Sequence, residues 1–304
     1  MRSVVIGLGV QGQKRVKVAG ESVVATVDPV VPEAQYRTVD QVPLDSYDAA
    51  LVCTPDGEKV DILNYLLSNR KHVLVEKPLT SDNQESLTSL KKLVNTSGVA
   101  CYTAYNHRFE PHIVRLKELL DSRELGEVYV AKYFYGNGTA QLVKGSAWRD
   151  TGLGALGDLG SHLLDLSLFL LGQTNSKFEL WSARGFETQS WDHVLFGSRG
   201  KPFIELETTF LSWRNSFSID VLAERGSAHI NGLCKWGPST FTVRRRVYPS
   251  GVPHEEVQTI ESPDPTWEME YRHFEGLCRT GGTNIGNDCW INRVLKEAAR
   301  SVAD

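Results

Sequence analysis

Six residues near the start of the chain, Gly7-Leu-Gly9-Val10-Gln11-Gly12, limit its fold more than any other stretch. Ahead of them runs Ser3-Val-Val-Ile6, a short β-branched segment of strand type, and from about Gln11 the pattern turns helical. Glycines between a strand and a helix allow a tight turn. They also let backbone N–H groups approach a pyrophosphate at the helix N-terminus. Asp28 closes the next strand about 20 residues further on, which completes the dinucleotide fingerprint. Its carboxylate is placed to accept hydrogen bonds from a ribose 2′-OH and to repel a 2′-phosphate, which favours NAD over NADP. Lys14, Arg15 and Arg37 supply nearby positive charge that would suit NADP instead, and Asp28 also fits as a turn residue before Pro29.

The first hundred residues go on alternating short β-rich runs with helical patterns, as a parallel sheet with crossover helices requires. Strands are predicted at Ser3–Ile6, Val23–Val27, Ala49–Cys53, His72–Glu76 and Val99–Ala104. Helices are predicted from Gln11, over Gly57–Ser68 and over Asn83–Asn95. Thr54-Pro55 and Glu76-Lys77-Pro78 each follow a strand at the carboxyl edge of this sheet, where open α/β folds bind ligands. From Glu127 the strands Glu127–Tyr135, Phe178–Phe186, Ile204–Phe210, Ser216–Leu222, Ser227–Ile230 and Thr240–Val247 follow one another with few helices, which predicts a largely antiparallel sheet. The chain is therefore read as α/β with two domains. Residues 1–105 form a Rossmann dinucleotide-binding domain. Residues 106–304 form a substrate domain whose last helix, Asp288–Val302, is able to return to the first.

Gly157-Asp158-Leu-Gly160-Ser-His162-Leu-Leu-Asp165 places ionisable groups at i, i+4 and i+7 within an apolar run that extends to Leu171. On a regular helix these three share one face. A helix apolar all round is buried, so its polar groups must be paired or face a polar cleft. The stripe is either a site or a set of satisfied core residues, with Asp158 as a cap and His162 on a carbonyl.

The formal charge of -4 lacks the concentrated basic face of a nucleic-acid binder, and no apolar run spans a bilayer. Five cysteines without a C-x-x-C pair or metal-ligand spacing predict reduced thiols, a cytoplasmic location and no metal. With a strand predicted from Ser3, no secretory signal is expected.

Gly7-x-Gly9-x-x-Gly12, Thr54-Pro55, Glu76-Lys77-Pro78-Leu79, Asn106-His-Arg108-Phe109 and Gly157-Asp158-Leu-Gly160-Ser-His162-Leu-Leu-Asp165 together resemble the glucose-fructose oxidoreductase/inositol dehydrogenase/MocA family, in order and spacing. The resemblance implies a Rossmann domain followed by a large, open, mostly antiparallel sheet. It implies an NAD(P)-dependent oxidoreductase interconverting a secondary alcohol and a ketone on a sugar, sugar nucleotide, aminosugar or cyclitol. It implies Lys77, Asp158 and His162 as catalytic residues, His162 being the general acid/base and Lys77 the contact to the reacting hydroxyl. Asn106, Arg108, Trp148 and Arg149 would contact substrate with them. Thr54, Pro55 and Glu76 would join Lys77 beside the cofactor, and copies of the chain would pair through the open sheet as a homodimer or homotetramer. A non-carbohydrate reductase and a dinucleotide-sensing regulator are the rival readings. Two departures stand out: Lys59 where the family usually carries His, and an interval between Asp28 and Ala49 too short for a helix and a strand.

Overall fold

The computed structural model describes residues 1–300 except 82, 148 and 175, and they form two compact units. The first comprises Met1–Asn106 together with Trp267–Arg293. Its five strands are β1 (Ser3–Ile6), β2 (Val23–Val27), β3 (Ala49–Val52), β4 (His72–Glu76) and β5 (Cys101–Ala104), all parallel, in the order β2-β1-β3-β4-β5. Chain order reverses at the β1/β3 junction, the switch point at which ligands bind beyond the carboxyl ends of the strands.

Alternation along these short strands covers both sheet faces. Val4, Ile6, Ala50, Val52, Val73 and Val75 share one core with Leu63 and Leu66 of α2 (Asp56–Ser68) and Leu87 and Leu90 of α3 (Gln84–Ser97). Val5, Leu51 and Leu74 point the other way and pack with Ala19 of α1 (Val10–Ala19). That second face also holds Tyr271 and Phe274, so this unit's core is completed by residues far along the chain. The interval between β2 and β3 holds two short 3₁₀ turns, Val39–Gln41 and Leu44–Ser46, and a single bridge from Tyr36 to Val27, which leaves β2 as the last strand of the sheet.

The second unit comprises His107–Thr266 with the residues from Val294. Its strands are β6 (Val128–Gly136), β7 (Phe178–Arg184), β8 (His193–Ser198), β9 (Phe203–Thr209), β10 (Ser216–Ala223), β11 (Gly226–Asn231), β12 (Ser239–Arg245) and β13 (Glu255–Ile260). They lie in the order β13-β12-β11-β10-β6-β9-β8-β7, antiparallel except for the β6/β9 pair. One face is apolar, through Tyr133, Leu206, Ile219 and Ile230. Here α4 (Pro111–Asp121) packs on β11 and β12, and α6 (Ser161–Leu171) packs on β6. On the other face polar side chains pair across strands: Lys132 with Glu205, and His229 with Asp220.

Two strands, β8 and β13, are absent from the sequence reading. β13 carries Glu255-Glu-Val-Gln-Thr-Ile260, almost wholly exposed, and its strand character comes from the ladder to β12 rather than from any burial pattern. The helices α4, α5 (Ala140–Lys144) and α7 (Thr266–Thr280) are likewise additions. α4 carries Pro111 in its first turn and buries Ile113 and Leu116. α7 follows Asp264, whose carboxylate accepts from the Thr266 N–H and hydroxyl, and Tyr271 and Phe274 three apart carry its buried face.

Candidate functional site

In the first unit the three glycines of the turn differ in what requires them. Gly7 has φ +89, and a Cβ there would stand 2.7 Å from the Cys53 carbonyl oxygen. A Cβ on Gly12 would lie 1.8 Å from the Gly7 carbonyl oxygen, so α1 approaches the turn only because Gly12 has no side chain. Gly9 is different. It sits at φ -65 and ψ -168, as any residue can, and a Cβ there would meet nothing within 4 Å. The fold does not demand glycine at this position. The space it leaves faces a helix start that has no side-chain cap, with Val10 exposed beside Gln11. Thr54, just after β3, has a buried hydroxyl without a hydrogen-bond partner among the described residues. An open cradle, uncapped helix N–H groups and an orphaned hydroxyl are the features a dinucleotide pyrophosphate fits.

Asp28 is built into this turn. Its Oδ2 accepts from Leu8 N at 2.7 Å, and its Oδ1 accepts from Val30 N and Val31 N at 2.8 and 2.9 Å. Burial works against its charge, yet the three donors together with Arg37 hold the carboxyl below its usual range. The cations expected to serve a 2′-phosphate are engaged elsewhere. Arg37 donates to the carbonyls of Asp28, Val31 and Pro32. Lys14 lies over the Trp267 ring. Arg15 is fully buried in a three-way ion pair, 2.7 Å from Glu76 and 2.6 Å from Glu270. Glu76 is thus an anchor for α1. Lys77 follows it at the end of β4, and the carbonyl of the next residue, Pro78, accepts from Lys59. Pro55 forms the N-cap of α2, and Asn106 is buried in the short turn Asn106–Phe109.

In the second unit the expected helical stripe is divided. Leu156–Gly160 winds as a π-helix, and only Ser161–Leu171 is α-helical. The wider turn departs from the regular 3.6-residue winding that the stripe assumed, and the three side chains differ in exposure. Asp158 is about one-third exposed and lies 3.7 Å from Arg149. Asp165 is fully buried and receives a two-pronged contact from Arg108, Nε to Oδ2 at 2.6 Å and Nη2 to Oδ1 at 2.5 Å. It therefore supports the turn that carries both Arg108 and His107, the ring on which His162 stacks. Trp148 lies outside the described residues.

His162 lies in an aromatic bed that sequence reasoning missed. Its ring stacks on His107, with centroids 4.2 Å apart and planes at 19°, and Tyr135 meets it edge-on at 5.8 Å. Trp236 packs on both Tyr135 and His107. Burial, with the charge of Asp158 added, pushes the Tyr135 phenol upward, so it remains a neutral hydroxyl. His107 stands within the run Asn106–Phe109 and Tyr135 near the end of β6, but nothing in their spacing marks either, and Trp236 carries no local signal. Among the described residues no three metal-ligating side chains converge, and no helix is long and apolar enough to cross a membrane.

Comparisons with known proteins agree with this fold. Residues 1–105 match the oxidoreductase family with an NAD-binding Rossmann fold, and residues 113–229 match the GFO/IDH/MocA C-terminal domain. The scyllo-inositol 2-dehydrogenase (NAD(+)) of Bacillus subtilis is 29% identical over 95% of this chain and 89% of that protein. Glucose-6-phosphate 3-dehydrogenase of the same organism is 29% identical, but over only 44% of this chain and 39% of that protein. Among solved structures, an NAD-binding oxidoreductase from Klebsiella pneumoniae superposes with a TM-score of 0.84 at 17% identity, covering 100% of this chain and 97% of that one. Levoglucosan dehydrogenase, solved with NADH, gives 0.83 at 16% identity over 100% and 97%. At such identities these likenesses speak for the fold alone.

Proposed function

The chain belongs to the GFO/IDH/MocA family of NAD-binding oxidoreductases, and on that premise we propose that it interconverts a secondary hydroxyl and a ketone on a sugar or cyclitol. The observation that carries this reading is His162, a titratable imidazole set among His107, Tyr135 and Trp236 with Asp158 one turn before it. NAD, when bound, supplies the hydride acceptor.

The chain's own residues do the rest. In the oxidative direction the carbon loses a hydride and the hydroxyl loses a proton. His162 takes that proton, and an imidazole with an ordinary pKa near 6.5 is suited to such transfers near neutral pH. Lys77 steadies the negative charge that develops on the oxygen. Asp158, with Arg149 beside it, offers a carboxylate to a neighbouring substrate hydroxyl, and the part-exposed indole of Trp236 suits the apolar face of a sugar ring. The Gly9 opening, the α1 N-terminus and Thr54 receive the pyrophosphate. The carboxylate of Asp28 and the engagement of Arg37 favour NAD over NADP. Pairing of copies through the open sheet is part of the same reading.

A panel of polyols, aminosugars and sugar nucleotides, offered with NAD and with NADP and followed by absorbance of the reduced cofactor, tests it. We expect NAD-linked turnover of a polyol that His162→Ala lowers by about 10²–10⁴-fold while NAD still binds. A His162→Ala enzyme with full turnover, or a panel in which only non-carbohydrate carbonyls react, would overturn the assignment.

A further inference from the structure

The residue that departs from the family pattern, Lys59, is almost completely buried, which a lysine tolerates only when its ammonium is paired. Its Nζ is 2.7 Å from Asp56 Oδ1, one turn earlier on α2, and 2.8 Å from the carbonyl oxygen of Pro78. Removing an ammonium from water is costly, and the next buried positions along α2, Leu63 and Leu66, are plain hydrocarbon. What the ammonium does that an apolar side chain cannot is hold the backbone of residue 78.

On the other side of Lys77 the Glu76 carboxylate is held just as firmly by Arg15, itself locked by Glu270. Lys77 is thus flanked by two anchored neighbours, residue 76 through its side chain and residue 78 through its carbonyl. The anchors come from two helices, α1 and α2, that both start at the carboxyl edge of the sheet. We propose that Lys59 is a positioning residue for Lys77: by tying the Pro78 carbonyl to the first turn of α2, it fixes where the Lys77 side chain starts and therefore where its ammonium can reach. The proposal rests on the assignment of Lys77 to the reacting hydroxyl. A displacement of about 1 Å at such a group is enough to cost up to ~10²-fold in rate.

Lys59 is the better anchor to remove, because losing Arg15 would take the guanidinium away from two buried carboxylates, whereas Asp56 is half exposed and simply becomes solvated. Lys59→Met removes both bonds, Lys59→Gln keeps a neutral donor in case the first variant folds poorly, and Lys59→Arg keeps the cation. Hydrogen exchange followed by mass spectrometry on the full chain reads the backbone at 76–79, fluorescence titration reads NADH affinity, and the polyol selected by the screen reads kcat and KM. For Lys59→Met and, more weakly, Lys59→Gln we expect faster exchange confined to 76–79 and a kcat lower by about 10-fold. NADH affinity and KM should stay within about 2-fold, and Lys59→Arg should recover most of the loss. Wild-type exchange at 76–79, or a loss falling on NADH affinity or KM with kcat intact, would overturn the proposal. The parent assignment fails separately: Lys77→Ala with undiminished turnover removes it, whereas the exchange experiment decides the Lys59 anchor without any substrate.

Discussion

Arg108 and Asp165 provide the most demanding check on how the second unit is held together. Asp165 is 1% exposed and Arg108 15%, and their two-pronged contact joins the turn after β5 to the middle of α6. Removing one member of a buried pair leaves an uncompensated charge and costs about 3–5 kcal/mol. The two single variants should not be equal. Arg108→Leu leaves a carboxylate with no route to water, so its cost falls at the upper end. Asp165→Leu leaves a guanidinium that already lies over Phe169 and reaches solvent at its edge, so its cost falls at the lower end. For a unit of this size roughly 2–4 °C of melting temperature accompanies each kcal/mol, so the single variants should melt about 6–20 °C early. The double variant places two apolar side chains together and should cost about 3 kcal/mol less than the sum of the two singles. Calorimetry on the wild type, both single variants and the double closes the cycle. Single variants within about 1 kcal/mol of wild type, or a double equal to their sum, would refute the claim that this pair supports the unit.

The glycine turn separates ligand requirements from fold requirements. Gly9→Ala should melt like the wild type, because its Cβ meets nothing, yet bind NADH at least about 10-fold more weakly because the methyl occupies the cradle. Gly12→Ala should lose both stability and NADH binding, since its Cβ collides with the Gly7 carbonyl; paired melting and fluorescence titrations distinguish the two outcomes. Burial depresses His72 and His112 below their ordinary 6.5. His72 Nδ1 accepts the Ala100 N–H, a role open only to the neutral ring. The unfolded chain takes up these protons first, so their contribution is full above about 6.5 and declines as the pH falls through and below that value. Melts from pH 7.5 down to 5.5 should show falling stability, and His112→Phe should flatten part of that fall.

The legible part of this protein was what repeats locally. β1, β2 and β4 sit where the sequence placed them, because each is a short apolar run rich in β-branched residues, and in β1 and the middle of β4 that run is buried. The glycine turn was legible for the same reason: its constraints act within six residues. β13 was not, because an exposed edge strand needs only a partner's ladder. The winding of the stripe at Asp158, His162 and Asp165 was not legible, because its register assumed 3.6 residues per turn throughout and the chain winds wider before Ser161.

By itself, then, the sequence determined the Rossmann unit, its nucleotide turn and the ionisable residues worth attention, all through patterns that act over one or two elements. Tertiary structure alone decided which partner each ionisable group received. Arg15 left the phosphate side for Glu76 and Glu270, Arg108 and Asp165 found each other, His162 came to rest on His107, and Lys59 reached the Pro78 carbonyl. These contacts join residues from 19 to 255 positions apart. A charge in a low-dielectric interior is committed by whichever opposite group the fold brings within hydrogen-bond reach, and nothing in its local spacing records which group that will be.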